Sequence, residues 1–154
     1  MNLNQKTCSG CNECCKGWLI GNAFESKFSP FNPCKYLQNS SCSIYSERPD
    51  VCKGFNCEWL INSDMPESLK PSIVNTIVIP KFFHNQKYLV FLPSTEMLLT
   101  TTLMKWANEQ YQSGKSFIVL YNNGYRLIRG PDSFVDYASR KYPKYYNVLL
   151  YQRS

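Results

Sequence analysis

Eight cysteines, all within the first 57 residues, are the groups in this chain whose type and spacing could do chemistry. Cys8, Cys11, Cys14 and Cys15 stand in the run CSGCNECC, and Cys34, Cys42, Cys52 and Cys57 follow. Thiolate is a soft, strong ligand for zinc and for iron in clusters, and spacing decides how many sulfurs reach one centre. In Cys8-x2-Cys11-x2-Cys14 three sulfurs can converge if the backbone wraps around a metal, as in the first three positions of a bacterial ferredoxin run. The Cys-Pro that closes such a run is absent. Cys14 and Cys15 are adjacent, so their side chains diverge by about 100° in a helix and point to opposite faces in a strand. They resist sharing one ion: either they serve two centres, or one is a ligand and the other is buried or redox-active. Zinc sites often pair two Cys-x2-Cys knuckles, whereas the second half here has gaps of seven, nine and four residues. Spacing therefore favours an iron-sulfur cluster, of the 4Fe-4S kind, over Zn2+, with both metals left open.

Other chemistries lack material. His84 is the only histidine, set among Lys81, Phe82, Phe83, Asn85, Gln86 and Lys87 between two expected strands, where a surface loop is the natural reading. A Cys/His nucleophilic pair or a facial triad of two histidines and a carboxylate is therefore not expected. There is no Gly-rich phosphate loop and no dinucleotide fingerprint, and no two carboxylates are spaced as a general acid and base. Whether the chain is an enzyme stays open at this level. Arg140, Lys141, Tyr142, Pro143, Lys144, Tyr145 and Tyr146 could stack on a nucleic acid, but a solvated end with packed tyrosines is the better reading.

The formal charge of +6 is uneven: residues 1 to 60 carry six Lys/Arg against five Asp/Glu, and residues 61 to 154 carry eleven against six. A four-thiolate metal centre would subtract about two charges, which weakens any case for nucleic acid. No run approaches the roughly 18 apolar residues of a membrane span, and MNLNQKTCSG has no apolar core like that of a signal peptide. A cytoplasmic location without a membrane partner is the expectation. In a reducing compartment eight thiols point to metal ligands rather than a disulfide framework.

The elements that must position these thiols are expected as one domain over 1–154. A cysteine-cluster region, 8–60, would share its core with an α+β region, 61–154. The fold class expected is α+β, a cysteine-rich metal-binding half packed on a small antiparallel sheet with one or two helices. Residues 18–28 have apolar side chains without a clean period, suggesting a strand and a helical turn. Pro49 biases Arg48 away from helix, and 50–60 could form a short helix carrying Cys52 and Cys57. Segments 72–79 and 88–92, rich in β-branched and aromatic residues and bounded by Pro71, Pro80 and Pro93, are expected strands. Segment 94–113 is an expected helix with Ser94 as N-cap, Glu96 in its first turn and Gly114 as its stop. Asn122-Asn123-Gly124 between 117–121 and 125–129 marks a hairpin. Asp132 would cap a last helix to about Tyr142, and the tail YYNVLLY would pack back on the sheet. Trp18, Phe55 and Trp59, near the cysteines in sequence, are read as core aromatics.

The run CSGCNECC, then PCKYL and CSIYSERPDVCKGFNC with Trp59 just after, resembles the CxxCxxCC cysteine-cluster proteins, also called YkgJ-like and described as zinc- or iron-chelating domains. The likeness covers about residues 8 to 60, with Leu69-Lys70-Pro71 continuing it. It implies a metal-binding domain whose ligands come from the eight matching cysteines, Cys8, Cys11, Cys14, Cys15, Cys34, Cys42, Cys52 and Cys57, with Pro49 and Arg48 as motif residues of the second half. The Arg48 guanidinium would donate to ligand sulfurs or offset their charge, or else pair with Glu47 or Asp50. Some relatives are described as flagellin lysine methylases, yet the second half has no recognisable methyl-donor site. The function expected is a small metal-binding protein acting in electron transfer, metal handling or partner recognition. A redox or group-transfer enzyme and a zinc module associated with nucleic acid are the alternatives.

Overall fold

The apolar runs of the second half build a four-stranded sheet, and the cysteine-rich half lies against its first strand. The computed structural model describes residues 6–8, 11, 13–16, 21–28, 32–39, 41–93, 99–121 and 124–142, and of Cys15 the backbone alone. The sheet has the order β5-β6-β7-β8, formed by β5 Thr76–Phe83, β6 Gln86–Pro93, β7 Ser116–Leu120 and β8 Arg126–Arg129. Two short hairpins precede it: β1 Gly21–Ala23 with β2 Ser26–Phe28, and β3 Leu37–Gln38 with β4 Ser41–Cys42. The mixed α+β class is as expected.

The pairing differs from expectation in one respect. β6 and β7 are parallel, Leu89 opposite Phe117 and Val90 opposite Ile118, while β5 with β6 and β7 with β8 are antiparallel. Parallel neighbours need a long crossover, supplied here by helix α4, Thr101–Gln112. The sequence carries the cause: YLVFL and FIVL are continuous apolar runs without polar alternation, the pattern of strands buried on both faces. Tyr88 to Leu92 and Phe117 to Leu120 are all buried.

Other boundaries moved for local reasons. Of segment 72–79, the first part is helix α3, Pro71–Val74, started by a proline at its first position and ended by Asn75 in a left-handed conformation (φ 50°). Pro80 lies inside β5 rather than after it, which an edge strand tolerates because no further strand needs its missing N–H. His84 and Asn85, both at positive φ, make the exposed two-residue turn between β5 and β6. Ser94 and Glu96 lie outside the described residues; Thr100 caps α4, its hydroxyl accepting from the Leu103 N–H at 3.3 Å. Gly114, at φ 95°, stops that helix. Helix α5, Asp132–Lys141, begins after Pro131, and Asp132 is its first residue rather than a side-chain cap. Residues 50–60 break into α1, Asp50–Lys53, and α2, Glu58–Ile61. So the helices outnumber the one or two expected, several of them single turns.

The buried residues form one cluster from Ala23 and Phe28 through Cys34, Cys57, Trp59 and Leu69 to the sheet, α4 and α5. α2 and α3 pack on β5, α4 on β7 and α5 on β8. Glu58 ties the halves together: it is 1 % exposed, and its Oε1 accepts from Lys87 Nζ of β6 at 2.7 Å and from Asn62 Nδ2 at 2.9 Å. Among the described residues no helix is long and apolar enough to cross a membrane. Of the basic, aromatic stretch near the end, Tyr142 is fully buried with its hydroxyl 3.1 Å from that of Tyr88, and Arg140 pairs with Asp136 at 2.6 Å. Pro143, Lys144, Tyr145 and Tyr146, the tail beyond them, Trp18 and the Asn122-Asn123 turn lie outside the described residues.

Candidate metal centre

The thiols are placed by short turns rather than by long elements. The Cys11 N–H donates to the Cys8 carbonyl at 2.9 Å, closing the Cys-x2-Cys step into one turn. Cys14 follows in a 3-10 turn, Glu13–Lys16, whose Glu13 is buried and pairs with Lys16 at 3.1 Å. Cys34 opens a turn closed by the Leu37 N–H at 3.0 Å, and Cys42 ends β4 opposite Leu37. Pro49, extended at ψ 161°, starts α1 and its carbonyl accepts from the Cys52 N–H at 2.9 Å. After Gly54 the chain turns again and Cys57 stands at the head of α2.

These turns aim seven cysteines at one cavity of about 590 Å³: Cys8, Cys11, Cys14, Cys34, Cys42, Cys52 and Cys57. Cys34 and Cys57 are buried, the other five partly so, and among the described residues no disulfide joins them. The side chain of Cys15 lies outside the described residues. Tyr45, Arg48, Phe55, Trp59, Ile79 and Lys81 complete the walls, so a strand of the sheet forms one side of the cavity. His84, in its turn between β5 and β6, is not among the lining residues.

Electrostatic neighbours sort six of the thiols into two groups. Burial pushes the Cys57 thiol up to about 11, helped by Cys8 and Cys11 and opposed by the backbone N–H of Leu60. Burial also raises Cys8, against a hydrogen bond from Tyr45 and the nearby charges of Arg48 and Lys70. Cys52 is raised by burial and then by Cys34 and Cys42, with Arg48 opposing. Cys8, Cys11 and Cys57 thus form one neighbourhood and Cys34, Cys42 and Cys52 another, and Arg48 acts on both.

Arg48 is held by Tyr45, its guanidinium carbon 4.0 Å from the ring centre, and a hydrogen bond with Tyr45 raises its basicity further. Its Nε is buried without a hydrogen-bond partner, and so is Nε1 of Trp59, a residue 2 % exposed. Both donors belong to walls of the thiol cavity. Arg48 lines the thiol cavity, with Cys8 and Cys42 among its electrostatic neighbours. Trp59 and Phe55 are wall residues as well as core. The cations Lys6 and Lys70 each lie 5.2 Å from the Trp59 ring centre, and Lys6 carries no motif by which sequence alone would find it.

As they stand, no three Cys, His, Asp or Glu side chains among the described residues are set to hold one metal ion. No family model, curated protein or solved structure matches the chain. The chain's own residues therefore carry the functional reading.

Proposed function

We propose that the protein binds a soft metal through cysteine thiolates in the cavity below β5, as an iron-sulfur cluster or as zinc. The observation that supports this best is the convergence of seven cysteines from separate short segments of the chain on one cavity. A hydrophobic core has no need for seven thiols on one wall, nor for a guanidinium among them. The donor set fits the proposal: among the described lining residues there are seven thiols and no histidine or carboxylate, which suits zinc and iron in clusters and not a hard oxygen-seeking ion.

The surroundings fit as well. Ligand thiols must give up their protons, so loading releases protons and concentrates negative charge. Arg48 near Cys8 and Cys42, Lys70 near Cys8 and Lys6 near Cys57 would offset that charge. The buried donors Arg48 Nε and Trp59 Nε1 would find acceptors in thiolate sulfurs. Holding a centre requires the thiols to draw together, which single-turn elements permit more readily than long helices would. The two neighbourhoods give the proposal a structure of its own: Cys8, Cys11 and Cys57 serve one set of metal bonds, and Cys34, Cys42 and Cys52 another.

Such a centre would serve electron transfer, metal handling or partner recognition. A cavity of about 590 Å³ also falls in the range of small-molecule sites, which supports an enzymatic use as a second reading. Anaerobic purification with metal and acid-labile sulfide analysis tests the main one. A cluster would give iron, sulfide and absorption at about 400 nm; zinc would give a colourless protein with stoichiometric metal. Protein that carries neither, takes up neither on reconstitution, and whose cysteines all alkylate at equal rates before and after metal addition would refute the proposal.

A further inference from the structure

We propose that Lys6 is the positioning residue that draws the Cys8–Cys11 limb onto Cys57, an inference that rests on the metal-binding reading above. Lys6 comes two residues before Cys8 in a stretch that composition marks only as a polar lead-in. Its ammonium donates to the Asn62 carbonyl at 2.6 Å and to the Met65 carbonyl, and lies 5.2 Å from the centre of the Trp59 ring. Those carbonyls belong to the turn that leaves α2, the helix that Cys57 begins. One side chain thus fastens the start of the cysteine limb to the turn that follows α2, beside the Trp59 ring. Cys8 and Cys11 are thereby kept on the cavity that Cys57 also lines.

The chemistry needs a long cation with several donors. Ammonium offers three N–H groups on a flexible stem, enough for two carbonyls with a ring face beside them. Methionine has a similar length and none of the donors. It would leave the Asn62 and Met65 carbonyls without this partner and the limb without its anchor. Cys34, Cys42 and Cys52 are placed by turns that Lys6 does not touch, so its influence is confined to one of the two neighbourhoods.

The test compares wild type, Lys6→Met and Lys6→Arg as full-length reduced protein. The metal-free chains are alkylated with iodoacetamide and the rate at each cysteine is followed by peptide mapping. Lys6→Met should react about fivefold faster at Cys8 and Cys11, as expected for a limb that opens more often, with Cys34, Cys42 and Cys52 unchanged. Lys6→Arg should stay near wild type. Cobalt(II) titration, read by thiolate-to-metal charge transfer, should show affinity about 10- to 100-fold weaker in Lys6→Met, the usual effect of losing a group that holds a ligand. Unchanged alkylation at Cys8 and Cys11 in Lys6→Met overturns the inference, and so does a uniform rise at all the cysteines, the mark of general loosening. If wild type takes up no cobalt, zinc or iron, the metal reading falls, while alkylation alone still decides what Lys6 does.

Discussion

Replacing Lys87 by methionine tests whether the two halves are joined as described. Glu58 is 1 % exposed and Lys87 29 %, with Nζ and Oε1 2.7 Å apart. Removing one partner of a fully buried pair costs about 3–5 kcal/mol because the other charge is stranded. Here the lysine side is open to water and Asn62 still donates to Oε1 at 2.9 Å, so about 2–3 kcal/mol is the expected loss for Lys87→Met. At about 2–4 °C per kcal/mol for a chain of this size, the melting temperature should fall by roughly 4–12 °C. Denaturant and thermal unfolding of the reduced protein at pH 7 would measure it. Glu58→Gln combined with Lys87→Met removes the stranded charge and should recover part of the loss, giving a coupling well above zero in the double-mutant cycle. Because the carboxylate is buried, raising the salt should change the difference little. A loss below about 0.5 kcal/mol, the range of an exposed pair, or strictly additive effects, would refute the reasoning.

Further predictions concern the packing and the thiols. At Gly130 an added Cβ would stand 2.5 Å from Phe134 Cδ1 and 2.6 Å from Ser116 Oγ, so Gly130→Ala should destabilise by about 1–3 kcal/mol, as overpacking does; unfolding curves that superimpose on wild type would contradict it. With Cys57 near 11 in the folded, metal-free protein against an ordinary value of 9.0, the unfolded chain loses this proton first. Stability should therefore be flat in this group below pH 9 and fall by up to about 3 kcal/mol between pH 9 and 11. Cys57→Ala removes that contribution, so the stability difference between the two proteins should shift across this window and not below it; a constant difference would count against the buried thiol.

The class of the fold was legible because β-branched runs and turn residues speak locally: Tyr88 to Leu92, Phe117 to Leu120 and the Gly114 stop all stand near where the sequence puts them. The parallel pairing of β6 with β7 was there to be read in the unbroken apolar runs, but deciding it needs partners far apart in the chain. Pro71 misled in a different way. It reads as a strand boundary, yet a proline also starts a helix, and only packing on β5 decides between the two. At the site, the cysteines could be nominated by type and spacing, and Arg48 only through the family resemblance. Lys6, Tyr45 and Trp59 owe their places to contacts with Met65, Arg48 and the thiol cavity, and no local pattern announces such contacts. Of the adjacent pair, Cys14 lines the cavity, and the Cys15 side chain lies outside the described residues.

Pro80 has a consequence for how copies of this chain behave toward one another. An exposed sheet edge invites another strand to add to it, and β5 is an edge strand of eight residues. Pro80 removes a donor from the middle of that edge and interrupts the row an incoming strand would need. The opposite edge, β8, is only four residues long, carries an arginine at each end and packs against α5. Short length and charge are the usual defences there. The sheet therefore discourages growth from both sides, and the molecule can keep an apolar sheet of mixed pairing beside a thiol cavity without offering its backbone as a template for aggregation.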